Sequence, residues 1–190
     1  MCLIITRETG GQVDWDVAEQ ASRRNPDGYG IVYAQKGKLN ISKNLDWNSI
    51  RNTAMSLEFQ DIPFMLHMRL ATHGAVTTDN CHPFMLESHD IAMMHNGIID
   101  TIHVPIGESD SRAMADYLNG HMYEDFLKDE AEVTFIEGLL DGYNKLSFID
   151  TDGNITIIND SLGEWADGVW YSKKVLANAR INYRPSRRVS

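Results

Sequence analysis

Cys2 directly follows Met1, and its side chain is small enough to permit removal of the methionine. Removal would leave a thiol and a free α-amine on one residue. An α-amine with a reference pKa of about 7.7–8.0 can take the thiol's proton near neutral pH, directly or through water, so nucleophile and base come as one unit. Taken alone, a cysteine at this place is more often a small hydrophobe buried in the first strand. Its company changes the reading. His67-Met68-Arg69-Leu70-Ala71-Thr72-His73-Gly74 ends a strand with a guanidinium and continues into a polar, glycine-containing loop. Arg69 there is suited to hold a carboxylate by two parallel hydrogen bonds beneath a movable cover; an isolated arginine would by default sit in a structural ion pair. His95-Asn96-Gly97-Ile98-Ile99 offers a side-chain amide and a neighbouring backbone N–H, the pair of donors needed where negative charge develops on a tetrahedral intermediate. Asn-Gly is also a strong hairpin signal, and a tight turn can aim both donors.

These residues need elements to position them. Leu3-Ile4-Ile5 reads as a buried strand ending before Gly10-Gly11, which puts Cys2 at a strand end. A helix is expected over 14–24, stopped by Asn25-Pro26, followed by the turn Asn25-Pro26-Asp27-Gly28. Runs 29–34 and 39–42 flank Gly37 as a hairpin, and 46–59 reads as a helix with an apolar stripe of Leu45, Ile50, Ala54, Met55 and Leu57. Further strands are predicted over 64–70, 91–94, 146–149, 155–158 and 169–171, and a helix over 111–118 behind a cap at Ser109 or Asp110. Asp150, Asp152 and Asn154 have calcium-loop spacing, but Ile155 stands where the sharp-turn glycine is needed and Ser161 where the bidentate glutamate is, so a hairpin turn is expected. Strands and helices mix without regular alternation. This favours an α+β fold of mostly antiparallel sheets covered by helices.

At 190 residues one domain is expected over 1–190, with residues 182–190 a frayed basic tail carrying Arg184, Arg187 and Arg188. A formal charge of -10 opposes binding to a phosphate backbone, so nucleic acid is not an expected ligand. Cys2 and Cys81 are the only cysteines, too few for a disulfide framework and consistent with a reducing cytosol. The apolar start 1–5 is far short of a signal-peptide core, and no run approaches the roughly 20 residues of a membrane helix, so a cytoplasmic protein without membrane attachment is expected. His67, His73, His82, His95 and Cys81 lack the paired short spacing of a zinc motif, and neither a metal nor an organic cofactor is expected. Cys81 is expected to be packed, His103 and His121 to lie at the surface, and Trp170, Tyr171, Trp165 and Leu162 to belong to core, with a docking face for a partner protein as the alternative.

The ordered set Cys2, Asn25-Pro26-Asp27-Gly28-Tyr29-Gly30, Arg69-Leu70-Ala71-Thr72-His73-Gly74, Asn80-Cys81-His82-Pro83-Phe84, His95-Asn96-Gly97 and Ser109-Asp110-Ser111 resembles the class II glutamine amidotransferases, a branch of the N-terminal nucleophile hydrolases. The resemblance implies a four-layer fold with two antiparallel sheets between helices. It implies that Cys2 attacks the glutamine amide, Asn96 and Gly97 form the oxyanion hole, Arg69 binds the substrate carboxylate and Asp110 the substrate ammonium. Thr72 and His73 would belong to a loop that closes on glutamine, and His82 to the substrate site in a supporting role. Arg112 departs from the pattern, since relatives often carry an acidic residue there. The products would be glutamate and ammonia. Relatives deliver the ammonia through a channel, and a chain of this length has no room for an acceptor domain, so a separate synthase partner is expected. Two alternatives are an N-terminal nucleophile amidase for another amide, and a non-catalytic glutamine-binding regulator.

Overall fold

The computed structural model describes residues 2–71 and 75–175. Thr72, His73 and the basic tail therefore lie outside the described residues.

The chain opens with β1 (Leu3–Arg7), then α1 (Trp15–Arg24), β2 (Tyr29–Gln35), β3 (Lys38–Asn44), α2 (Trp47–Phe59) and β4 (Phe64–Met68). There follow β5 (Phe84–Leu86), β6 (Ile91–Asn96), α3 (Asp110–His121), α4 (Glu130–Leu139), β7 (Lys145–Asp150), β8 (Ile155–Ile158), β9 (Glu164–Ala166) and β10 (Val169–Tyr171). A six-stranded sheet has the order β3-β2-β4-β1-β10-β9 and a four-stranded sheet the order β5-β6-β7-β8. Every pairing in both is antiparallel.

Alternation along the strands sorts the cores. In β1, Leu3 and Ile5 join Val17, Ala18, Ile50, Leu57, Leu66 and Tyr171 beneath α1 and α2. Ile4, between them, joins Met65, Ala92, Met94, Ile149 and Trp170 between the two sheets. The outer face of the smaller sheet packs Met93, Leu146 and Phe148 against Met114, Leu118, Ile136 and Leu140 of the α3 and α4 region. Helices, sheet, sheet and helices thus form four layers, as the resemblance implies. With a side-chain period of two, Cys2 and Ile4 share a face, so the nucleophile candidate turns toward the seam between the sheets.

Short polar residues start the helices where expected: Asp14 accepts from Val17 N at 3.0 Å, Asp46 from Asn48 N and Ser49 N, and Ser109 from Arg112 N. Strand β4 stops at Met68, before the expected Leu70, because Arg69 N donates to Gly28 O and Asp27 N to Arg69 O, outside the ladder. The Asp150 carboxylate accepts from Asp152 N, Asn154 N and Asn154 Nδ2, which makes this segment a turn. Helix α4 and the three-residue strands β5 and β9 have no counterpart in the sequence expectations. Of the apolar stripe expected for α2, Ile50, Ala54 and Leu57 are buried, whereas Leu45 and Met55 are exposed, and Leu45 precedes the helix. Trp170 and Tyr171 are core, but Trp165 is 45% and Leu162 37% exposed; Trp165 lies on β9, the edge of its sheet. No helix among the described residues is long and apolar enough to cross a membrane.

Candidate active site

Cys2 is held at the end of β1 by the backbone that leaves β4. Leu70 N donates to Cys2 Sγ at 3.4 Å, and Sγ donates to Leu70 O at 3.6 Å. Register places Leu3 opposite Met68, so Cys2 stands beside Arg69. Burial pushes the thiol's pKa up, opposed by its bond to Leu70 and by the nearby charges of Lys173 and Arg69. A thiol so raised is protonated at neutral pH and needs a base to become nucleophilic.

The segment following Arg69 is braced from the turn after α1. Ala71 N donates to Asp27 Oδ2 at 2.8 Å, and Asp27 N and Gly28 O bond the Arg69 backbone. This gives the stretch 25–30 its structural task. A Cβ on Gly30 would stand 1.7 Å from His82 O, so only glycine lets β2 approach the segment that leads into the smaller sheet. Arg69 is buried, and its Nη1 donates to Ala75 O at 3.0 Å, an oxygen that also accepts from Asn80 Nδ2. The guanidinium is thereby bonded to Ala75, where the described chain resumes.

Asn96 ends β6 and is buried. Its Nδ2 donates to Ser172 Oγ at 2.7 Å, and the same hydroxyl oxygen accepts from Ile4 N at 2.8 Å. Ser172 N in turn donates to Ile4 O. One serine after β10 thus joins the oxyanion candidate to the strand that follows the nucleophile candidate. A Cβ on Gly97 would fall 1.9 Å from Asn144 Oδ1, so glycine is required there for close approach. Asp110 is joined to the same turn, because Ile99 N donates to its Oδ2 at 2.9 Å; Ser111 N donates to its Oδ1 at 2.8 Å.

His95, Asn144 and Ser111 lie buried behind this turn. His95 Nε2 is 2.8 Å from Asn144 Oδ1 and Nδ1 is 2.8 Å from Ser111 Oγ, while Asn144 Nδ2 donates to Ile98 O and to Asp141 Oδ1. Burial holds the His95 pKa below its ordinary value against the opposing charge of Asp110. His67 and His82 stack with ring centroids 3.9 Å apart and are buried between the sheets. Burial drops His67 to about 3 and His82 well below its ordinary value. His67 Nε2 reaches His95 O at 3.3 Å, whereas neither ring nitrogen of His82 has a hydrogen-bond partner among the described residues.

The structure therefore brings Cys2, Arg69, Asn96, Gly97 and Asp110 into one connected network and sets His82 behind it, against His67. Cys81 is packed against Gly28, and His103 and His121 are exposed. Sequence reasoning passed over Ser172, Asn144 and Lys173. Ser172 bonds a residue 168 positions away, and a serine after a short strand carries no local mark of that role. Asn144 sits in the Asp141-Gly142-Tyr143-Asn144 turn, where asparagine is expected for turn chemistry alone.

Comparison with known proteins bears on family and fold. The profile of the family described as glutamine amidotransferases class-II matches residues 11–158. The glutamine--fructose-6-phosphate aminotransferase [isomerizing] of Clostridium acetobutylicum is 28% identical over 154 residues, 80% of this chain and 23% of that one. The enzyme of the same name from Fusobacterium nucleatum subsp. nucleatum is 34% identical over 83 residues, 43% of this chain and 14% of that one. The chain thus spans less than a quarter of these two relatives. Among solved structures, the glutamine phosphoribosylpyrophosphate amidotransferase of B. subtilis matches with a TM-score of 0.57 at 15% identity, covering 90% of this chain and 41% of that one, a likeness of fold. With its ordered motifs, its paired antiparallel sheets and a family match across most of its length, this chain belongs to the class II glutamine amidotransferases.

Proposed function

We propose that this chain hydrolyses the side-chain amide of L-glutamine, with Cys2 as nucleophile once Met1 is removed. The observation that carries the reading is the linkage of Cys2 to both halves of an amino-acid amide site. The thiol is bonded to the backbone beside Arg69, and Ser172 ties its strand to Asn96, whose turn is bonded to Asp110. Arg69 and Asp110 offer opposite charges to the α-carboxylate and α-ammonium of one ligand.

In this reading the Cys2 α-amine takes the thiol proton and the thiolate attacks the amide carbon. Asn96 Nδ2 and Gly97 N stabilise the oxyanion. Collapse of the tetrahedral intermediate breaks the C–N bond, the proton passes to the leaving nitrogen, and ammonia departs. Water then hydrolyses the thioester, giving glutamate and the free thiol. Thr72 and His73 form the cover over the substrate, and His82 supports the site through His67. The ammonia passes to a separate synthase partner, and a free thiol nucleophile suits the cytoplasm.

The test is intact-protein mass before and after exposure to a diazo-ketone analogue of glutamine, with Cys2→Ala and Cys81→Ala variants alongside. A protein lacking Met1 that gains a single adduct, dependent on Cys2 and indifferent to Cys81, is expected. A mature protein that stays unlabelled, even with cell extract supplied, overturns the hydrolytic reading in favour of a glutamine-binding regulator.

A further inference from the structure

The hydrogen bonds behind the oxyanion turn have only one consistent direction. Asn144 Nδ2 donates to Ile98 O and Asp141 Oδ1, both at 2.8 Å, which uses both of its N–H bonds and identifies the other terminal atom as oxygen. That oxygen lies 2.8 Å from His95 Nε2, so Nε2 carries a proton. In the neutral ring Nδ1 is then an acceptor, and Ser111 Oγ at 2.8 Å must be its donor. The serine has one hydroxyl hydrogen, so its 3.4 Å approach to Asp110 Oδ1 is left without one. Asp110 is instead held by Ile99 N and Ser111 N, which leaves part of the acceptor capacity of its two oxygens for an incoming cation.

Three successive residues of the turn are thereby fixed by one network. Gly97 packs against Asn144 Oδ1, Ile98 O accepts from Asn144 Nδ2, and Ile99 N donates to Asp110. A cation arriving at Asp110 competes for the oxygens that hold Ile99 N and Ser111 N. Its effect reaches the turn directly through Ile99, and through Ser111, His95 and Asn144 by the buried route. Resting on the glutaminase reading above, we propose that His95, Ser111 and Asn144 are positioning residues that make the oxyanion turn answer to the substrate's α-ammonium group. Selection for an α-amino acid is then expressed in turnover as well as in binding.

Two measurements on the full chain test this. In the first, kcat and KM are determined for L-glutamine and for glutamine lacking its α-amine. His95→Asn, which cannot reach Asn144, is expected to lower kcat for L-glutamine about 10²-fold through misplacement of the turn, with KM near wild type. His95→Gln, whose amide can still donate to Asn144, should recover part of that loss, and the kcat preference for the complete amino acid should shrink in both variants. Variants that keep wild-type kcat and the full preference, or that raise KM alone, overturn the relay. In the second, the His95 ring N–H is followed by nitrogen-resolved NMR in Cys2→Ala protein, which cannot consume substrate. L-glutamine is expected to shift the signal and the des-amino analogue to leave it in place; an unmoved signal in glutamine-bound protein overturns the relay. A chain that neither hydrolyses nor binds L-glutamine refutes the glutaminase reading. In that case the relay stands or falls on whether Asp110→Asn shifts the same His95 signal.

Discussion

Ser172 Oγ accepts from both Ile4 N and Asn96 Nδ2, and all three residues are buried, so its loss takes the acceptor from Ile4 N and leaves Asn96 Nδ2 only the 3.5 Å contact to Ser172 O. Leaving a buried donor unsatisfied costs about 1–3 kcal/mol. Ser172→Ala is therefore expected to lower the urea midpoint and, because Asn96 loses its shorter bond, to lower kcat more than it raises KM. Asn96→Ala should cost roughly 10²- to 10³-fold in kcat as an oxyanion donor is removed. Because the serine acts through the asparagine, adding Ser172→Ala to Asn96→Ala should cost little further turnover, and an additive loss in the double variant would count against their coupling. The candidate site residues were legible in the sequence because their types are restrictive: a thiol next to Met1, a guanidinium at a strand end, an amide before a glycine. Ser172 and Asn144 were not, since each acts by a hydrogen bond to a distant segment that any small polar residue at that place would suggest equally well.

Helix and strand identities were legible where local chemistry is strong. Asp14 and Asp46 mark helix starts, Asn25-Pro26 a helix end, and apolar alternation the central strands. Strands β5 and β9 are three residues each, too short for alternation to speak, and they exist because β6 and β10 offer them an edge. The early stop of β4 was equally hidden, because the backbone of Arg69 turns away to bond Asp27 and Gly28. Gly30 belongs to this scale. It pairs with His67 in the larger sheet and meets the carbonyl of His82 on the way to the smaller one. Gly30→Ala must separate the two segments, with an overpacking cost of typically about 1–3 kcal/mol. A reduced urea midpoint is expected, together with a raised KM for glutamine, because the same strand leads back to the Asp27 brace under Arg69. An unchanged midpoint would mean that the contact between β2 and His82 is loose.

Across the whole molecule, His67, His82 and His95 are buried and neutral in the fold, with pKa values below the ordinary 6.5, His67 at about 3. The unfolded chain binds protons at these histidines before the folded one does, so stability rises with pH between the folded and unfolded values. The contribution is fully present above about 6.5 and is lost as pH falls toward the folded values, with a slope of up to about 1.4 kcal/mol per pH unit for each histidine. Urea midpoints measured from pH 7 down to pH 4 should fall steeply, and His82→Phe, which removes a ring with no hydrogen-bond partner among the described residues, should flatten that fall. An acid limb unchanged in His82→Phe would show that the ring already titrates in the fold. The position of β1 makes the larger sheet depend on both ends of the described chain. Strand β1 lies between β4 and β10, and its Ile4 N donates to Ser172 Oγ. A chain cut before β10 would leave one edge of β1 unpaired and Ile4 N without that acceptor, so β1 gains its second neighbour only when the last described strand is present.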